Sequence, residues 1–359
     1  MKLLETMAQR EHEQVIAFSD VGTGLRGFLA IHDTSLGPAF GGIRVQSYPS
    51  ESEALEDVLR LSRGMTYKAA LAELPCGGGK TVVMLHDGIK RREAFESLGL
   101  LVESLGGRYF TARDVGITDE DLEALGRTTR HVARDPSPGL GDISEHTAIG
   151  VWHGLRACLE FTKIGRARVA IQGVGSVGLW LAKILKREGM ELLVADVDGA
   201  RAGRAAADLG AKIVPADEIL YADCDVLAPC ALGGVISRET ISKLKARVIC
   251  GSANNTLAAA EDGEELQRRG ILYAPDYLVN AGGLIRGAEF YFQRQQDSMP
   301  SLARIYERMR RILEVSRERG ISTSRAADEA AEVRWKRSPR GSKTFRDSHW
   351  KADLNPALG

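Results

Sequence analysis

Two lysines stand twelve residues apart: Lys68, closing Arg63-Gly-Met-Thr-Tyr-Lys68, and Lys80, directly after Leu74-Pro-Cys-Gly-Gly-Gly79. A lysine does chemistry beyond carrying surface charge when it is kept from water, which lowers its pKa and makes it a base. Gly77-Gly-Gly79 reads as a tight loop whose bare backbone a ligand can press against, and Thr81 to Leu85 as a buried strand. Lys80, held between the two, is the candidate proton-moving base, and Lys68 the candidate holder of a carboxylate. A third group, Asp114, sits in the turn Ala112-Arg-Asp-Val-Gly116, after a short strand over 108–111. Each alone has a plainer reading, as a surface lysine or a turn former. The plainer readings weaken because Gly251-Ser-Ala-Asn254-Asn255 and Asn280-Ala-Gly-Gly283 repeat the combination of glycine and polar residue beside a strand end. Strand carboxyl ends are where open α/β sheets bind ligands. A phosphate-binding P-loop is disfavoured, since its first glycine would fall at position 74, a leucine.

A separate constellation is Gly173-Val-Gly175-Ser176-Val177-Gly178, which follows an apolar strand and opens a helix. Gly173 makes the turn, Gly175 admits a pyrophosphate, and Gly178 lets helix and strand pack closely. The phosphates would then meet the free N–H groups of the helix start. Asp196 ends the next strand, where a carboxylate bonds the adenosine ribose hydroxyls and repels a 2′-phosphate. The expected cofactor is NAD.

The elements that must carry these residues form two domains, an expectation that 359 residues comfortably allow. Strands over 13–19 and 26–32 are joined by a turn at Gly22-Thr-Gly24, and Leu36 to Arg44, with three glycines and a proline, reads as a shaped loop. Ser50 caps a helix that ends near Lys68, and Thr118 caps another with Asp121 at its third position. The break over 134–146 marks the boundary. Beyond it strands and helices alternate (168–172, 177–188, 191–195, 200–209, 225–229, 247–251, 257–268), which predicts a parallel sheet wrapped by helices. The fold class is therefore α/β: an N-terminal domain with a mixed sheet over 1–135, a doubly wound dinucleotide-binding Rossmann domain over 145–323, and a cleft between them. Helices over 301–319 and 324–335 close the structure, the last packing back on the first domain. A basic tail over 336–359 reads as mobile.

Lys+Arg and Asp+Glu both number 48, so nucleic acid and acidic membranes are not expected partners. The start of the chain lacks the pattern of a signal peptide, and no apolar run is long enough to span a membrane. The five cysteines form no CxxC pair, the histidines no ligand spacing, and the reading is free thiols in a cytoplasmic protein without a metal site.

Taken in order, several segments are similar to those of the amino-acid dehydrogenases acting on glutamate, leucine, valine, phenylalanine and tryptophan, and among these the leucine/phenylalanine branch. They are Ile31-His-Asp-Thr-Ser-Leu-Gly-Pro-Ala, Gly64-Met-Thr-Tyr-Lys68, Gly77-Gly-Gly-Lys80, the Asp114 turn, Ala228-Pro-Cys-Ala-Leu-Gly-Gly, Ser252-Ala-Asn-Asn255 and Tyr273 to Gly283. The resemblance implies NAD-dependent oxidative deamination of an L-amino acid to the 2-oxo acid, ammonium and NADH. It implies that Lys68, with backbone at Gly41 and Gly42, binds the substrate carboxylate, that Lys80 activates the attacking water, and that Asp114 shuttles protons to the amino nitrogen. Thr147, Asn254, Asn255 and Asn280 would contact the cofactor side. Phe40, Ala112, Leu284 and Gly287 would line the side-chain pocket, Phe40 narrowing it and Gly287 deepening it. None is charged, which disfavours glutamate and favours leucine, valine or isoleucine, with phenylalanine or tryptophan as the alternative. Arg113, a departure from the pattern, would add a cation beside Asp114. A homo-oligomer is implied as well.

Overall fold

The computed structural model describes residues 2–133 and 139–337; the 336–359 tail lies almost wholly outside them. The described chain separates into two compact units. One holds the residues up to Gly141, Gly287–Gln296 and the described residues from Ala331; the other holds Asp142–Arg286 and Asp297–Ala330. Residues 287–296, expected from the sequence in the dinucleotide-binding part, group with the first unit. A single helix spans both units there.

The first unit runs α1 (Leu3–Gln9), β1 (Gln14–Asp20), β2 (Leu25–Asp33), β3 (Ala39–Gln46), α2 (Glu51–Leu71), β4 (Gly77–Met84), α3 (Arg91–Ser104), β5 (Tyr109–Arg113) and α4 (Asp119–Gly126). Its sheet has the order β1-β2-β4-β3-β5. It is mixed, because β2 pairs antiparallel with β1 and β4 while β3 pairs parallel with β4 and β5. Alternation along the strands sorts side chains to two faces. Ala30, Val82 and Met84 pack with Ala54, Val58 and Leu59 of α2, whereas Ile43, Val45 and Val83 pack with Ala94, Phe95 and Leu98 of α3.

Two expectations change here. Residues 36–44 are not all loop, since β3 begins at Ala39, and Gly77–Gly79 is not a loop either but the fully buried start of β4. The glycines are required by packing. A Cβ on Gly78 would lie 2.2 Å from the Thr66 backbone nitrogen in α2, and one on Gly79 would lie 2.7 Å from the Tyr109 ring. Where backbone approaches this closely, weak strand propensity is overridden.

The second unit runs α5 (Ile143–Thr162), β6 (Arg168–Gln172), α6 (Ser176–Arg187), β7 (Glu191–Ala195), α7 (Gly199–Leu209), β8 (Lys212–Ile213), β9 (Val226–Pro229), α8 (Arg238–Ile241), β10 (Val248–Ile249), α9 (Glu261–Arg268), β11 (Leu272–Tyr273), α10 (Asp276–Val279), α11 (Gly282–Gln293), α12 (Met299–Arg319) and α13 (Thr323–Arg337). All six strands are parallel, in the order β11-β10-β9-β6-β7-β8, the doubly wound arrangement that strand–helix alternation calls for. The end of α13 belongs to the first unit. There Trp335 is fully buried edge-on to His32, Arg334 donates to the Ala70 carbonyl at 3.0 Å, and Tyr67 donates to Glu332 at 2.7 Å.

Candidate functional site

In the first unit, strand alternation places the chemistry-bearing residues on one face. Lys80 precedes Val82 and Met84 in the row that faces α2, and Phe40, Gly42 and Arg44 alternate with Ile43 and Val45, which face α3. On β5, Tyr109 packs on the α3 side, so Phe110 and Ala112 take the α2 side and Asp114 continues their row. Lys68 lies in the last turn of α2 and is half-buried. Lys80 therefore belongs to the space between the sheet and α2.

Lys80 is 7% exposed at its side chain and pairs with Asp114, Nζ to Oδ2, at 2.8 Å. The same Oδ2 accepts from Arg44 Nε at 3.2 Å. Burial works against ionising Asp114, but Lys80 and Arg44 outweigh it and hold the carboxyl below its ordinary range. Arg44 also donates through Nη1 to Asp57 of α2 at 3.2 Å. Asp57 accepts further bonds from Tyr48 at 2.7 Å and Arg60 at 2.7 Å. Arg113, expected to act on Asp114, turns instead to Asp119 and the Ile117 carbonyl. Successive residues around a strand end point to opposite sides, so the cation beside Asp114 comes from β3. Nothing in the sequence pairs Arg44 with a residue 70 positions away.

Gly42 makes room for this group, because a Cβ there would sit 2.9 Å from Asp114 Cβ and 2.5 Å from the Arg113 carbonyl oxygen. The β3–β4 ladder joins 39–40 to 77–78 and resumes at 43 with 81, passing over Gly41–Gly42 opposite Gly79–Lys80. The Gly41 carbonyl is bonded by Tyr109 Oη at 2.6 Å. Beside this opening Phe40 meets Phe110 and Phe292 edge-on, each at 5.5 Å. Gly287 does not deepen a pocket independently of Phe40: a Cβ on it would touch the Phe40 ring at 3.3 Å, so ring and missing methyl are one fitted pair. Ala112 and Leu284 are half-buried.

In the second unit, Gly173 adopts φ +91°, and a Cβ on Gly178 would lie 2.0 Å from the Gly173 carbonyl oxygen, so both must be glycine. Gly175 differs, since nothing lies within 4 Å of where its Cβ would be. It caps α6, whose opening N–H groups at Ser176, Val177 and Gly178 have no carbonyl within their own helix. An anionic pyrophosphate fits this cradle. Asp196 is 5% exposed at its side chain. Its carboxylate accepts from the Val174 and Asp198 N–H groups at 2.9 and 3.0 Å, tying the glycine turn to the end of β7. Arg201, unremarked in the sequence, stands 3.4 Å from Asp196. Burial opposes ionisation of Asp196, and these partners overcome it and lower its pKa.

Asn280 donates to the Ser252 carbonyl at 3.1 Å and to Asn254 Oδ1 at 2.9 Å, joining two of the glycine–asparagine segments. Its own Oδ1 is buried without a partner among the described residues, an acceptor suited to a ligand donor. Asn255 holds a left-handed φ of +52° and is exposed. Thr147 turns its hydroxyl to the Ile143 carbonyl at 2.9 Å; a Cβ on Gly283 would meet that hydroxyl oxygen at 2.9 Å. Among the described residues no cluster could hold a metal ion, and no helix is long and apolar enough to cross a membrane. The five cysteines are free thiols.

A parallel sheet with a glycine turn opening a helix, in a chain that also carries a buried lysine–aspartate pair, fits the class of pyridine-nucleotide-dependent dehydrogenases. Comparison with known proteins makes the assignment specific. Residues 12–131 match the profile described as Glu/Leu/Phe/Val dehydrogenase, dimerisation domain, and 197–336 that of glutamate/leucine/phenylalanine/valine dehydrogenase. The chain is 42% identical over 354 residues to leucine dehydrogenase of Thermoactinomyces intermedius, covering 96% of each chain. It is 43% identical over 345 residues to phenylalanine dehydrogenase of Bacillus thermotolerans, covering 92% of this chain and 90% of that one. The crystal structure of L-tryptophan dehydrogenase from Nostoc punctiforme superposes with a TM-score of 0.81 at 38% identity, covering 94% of this chain and 99% of that one. The chain belongs to the Glu/Leu/Phe/Val dehydrogenase family and is an amino-acid dehydrogenase.

Proposed function

We propose that the protein catalyses the reversible NAD-dependent oxidative deamination of a hydrophobic L-amino acid of the leucine, valine and isoleucine class, giving the 2-oxo acid, ammonium and NADH. The observation that carries this reading is the buried Lys80–Asp114 pair at 2.8 Å, on the sheet face that also carries the uncharged Phe40 and Ala112. Lys68 binds the substrate carboxylate, helped by backbone at Gly41 and Gly42. Asp114 takes a proton from the substrate amino nitrogen and later returns one to the departing ammonia. Lys80 draws the proton from the water that attacks the iminium carbon. The 2.8 Å hydrogen bond is short enough for the two to exchange a proton directly.

The second unit would hold NAD at Gly173, Gly175, Ser176, Val177 and Gly178, with Asp196 on the ribose side and Thr147, Asn254, Asn255 and Asn280 toward the nicotinamide. When bound, NAD supplies the acceptor for the hydrogen and electron pair leaving the substrate α-carbon. Asp196 favours NAD over its 2′-phosphorylated form by charge.

Phe40 filling the space at Gly287 supports a branched aliphatic side chain over a ring. The phenylalanine and tryptophan dehydrogenase relatives keep an aromatic substrate as the second reading. One methylene is worth only about 1–3 kcal/mol of discrimination, so several aliphatic substrates are expected to turn over. A homo-oligomer formed through the first unit accords with the dimerisation profile over 12–131.

The test is an initial-rate panel of leucine, valine, isoleucine, phenylalanine, tryptophan and glutamate with NAD and with NADP at alkaline pH, read by NADH absorbance. The expected order is aliphatic over aromatic, with glutamate silent and NAD preferred. Turnover on glutamate alone would sink the substrate reading.

A further inference from the structure

The Lys80–Asp114 pair is one end of a longer chain of charges. Asp114 Oδ2 bonds Lys80 on β4 at 2.8 Å and Arg44 on β3 at 3.2 Å. Arg44 reaches on to Asp57 of α2 at 3.2 Å. Both ends of the Arg44 link are well shielded, with side chains 14% and 16% exposed at Arg44 and Asp114. Asp57 is fixed in turn by the Tyr48 hydroxyl and the Arg60 guanidinium, each at 2.7 Å. The proton shuttle thus hangs on a strand end, while the group steering it is anchored to a neighbouring helix.

We propose that Arg44 is the positioning residue of the deamination reaction: it holds the Asp114 carboxylate at Lys80 through Nε, and Asp57 aims it through Nη1. The geometry explains why an arginine is needed. A planar fork bonds two carboxylates in fixed directions, whereas a lysine amine on a flexible stem cannot hold both in the same geometry. Without Arg44, Asp114 keeps Lys80 and the Val115 backbone N–H but loses the guanidinium that fixes the direction of its carboxylate from β3. A displacement of about 1 Å at a reacting group costs roughly 100-fold in rate. The inference rests on the proton-shuttle role proposed above for Asp114.

The charge consequence has a definite sign. The groups acting on Asp114 are Lys80 from β4, Arg44 from β3 and the Val115 backbone N–H, with Tyr48 and Tyr109 also near its charge; Asp57 of α2 reaches it through Arg44, and Arg60 binds Asp57. Burial disfavours the Asp114 carboxylate, and Lys80 and Arg44 restore it to a midpoint below the ordinary range. Deleting the Arg44 cation removes a stabiliser of the ionised form, so the Asp114 midpoint rises.

The experiment compares full-length wild type, Arg44→Met and Arg44→Lys. Arg44→Met is expected to lower kcat for leucine oxidation roughly 10- to 100-fold, to leave NAD binding by fluorescence unchanged, and to move the acid limb of the kcat profile to higher pH. Arg44→Lys is expected to keep that limb in place, because the cation remains, yet to lose kcat several-fold. A folded Arg44→Met with wild-type kcat and an unmoved acid limb overturns the proposal. Should Arg44→Met fail to fold, wild-type kcat in Arg44→Lys overturns it instead. Infrared difference titration of the Asp114 carboxyl, assigned by subtracting Asp114→Asn, needs no turnover. Its midpoint should be higher in Arg44→Met than in wild type, and an equal midpoint counts against the proposal. If wild type itself turns over no amino acid, the functional reading falls, and this titration still decides whether Arg44 governs Asp114.

Discussion

Each unit carries a run of glycines at its most chemical point, and the two runs exist for different reasons. In β4, a Cβ on Gly77 would lie 1.8 Å from the Asp33 carbonyl, and those on Gly78 and Gly79 would meet α2 and Tyr109. At the start of α6, Gly173 and Gly178 are needed by the turn itself, but Gly175 has nothing within 4 Å of its absent side chain. The first run is filled by the protein and brings helix, sheet and Lys80 together. The second leaves a space that the protein does not fill. Crowded glycines therefore report on packing, whereas the open space at Gly175, beside the free N–H groups that start α6, leaves room for a ligand.

The sharpest way to break this contrast is at the residue the first run delivers. Lys80→Ala is expected to lower kcat by about 10²–10⁴-fold, the usual contribution of a positioned acid or base, with NAD affinity close to wild type by fluorescence titration. Turnover near the wild-type rate would leave the crowded glycines with no chemistry to serve. Next in size is Gly78→Ala, which drives a methyl into the α2 backbone at 2.2 Å. Overpacking of this kind costs about 3 kcal/mol or more when the obstacle is backbone, measured as a lowered urea midpoint. A midpoint equal to wild type would mean that α2 is not seated on β4 as described. The smallest effect on stability belongs to Gly175→Ala, within about 1 kcal/mol for a helix cap with open space around it. The same change should weaken NAD binding about tenfold, some 1.4 kcal/mol, because the methyl occupies the space left for the ligand. Unaltered affinity in a stable Gly175→Ala protein would erase the distinction between the two runs.

How far the sequence discloses all this differs between the units for a related reason. The glycine turn at 173–178 is local: strand, turn, helix and Asp196 lie within about one βαβ unit, so their spacing carries the geometry. Helix starts at Ser50 and Thr118 are equally local, and both cap as their side chains suggest. The first unit depends on contacts distant in sequence. Gly77–Gly79 and 39–44 read as loops because glycine has low strand propensity, and only the opposing helix and Tyr109 show why it is tolerated there. The long helix Ile143–Thr162 passes unnoticed because its cap, Asp142, follows a run rich in proline and glycine. Arg44 is the clearest case. Its partners Asp57 and Asp114 lie 13 and 70 residues away, and no periodicity links them. Arg113, adjacent to Asp114 in sequence, is drawn away to Asp119 by strand alternation.

The chain passes between its two compact bodies four times, after Gly141, Arg286, Gln296 and Ala330, and Trp335, near the end of the last helix, is buried against His32. On the ribosome, the residues that complete the N-terminal body therefore emerge after those of the second body. The mixed sheet must wait, part-finished, through synthesis of nearly the whole nucleotide-binding body before its final hydrophobic plug arrives. No single cut can release either body with all its own residues.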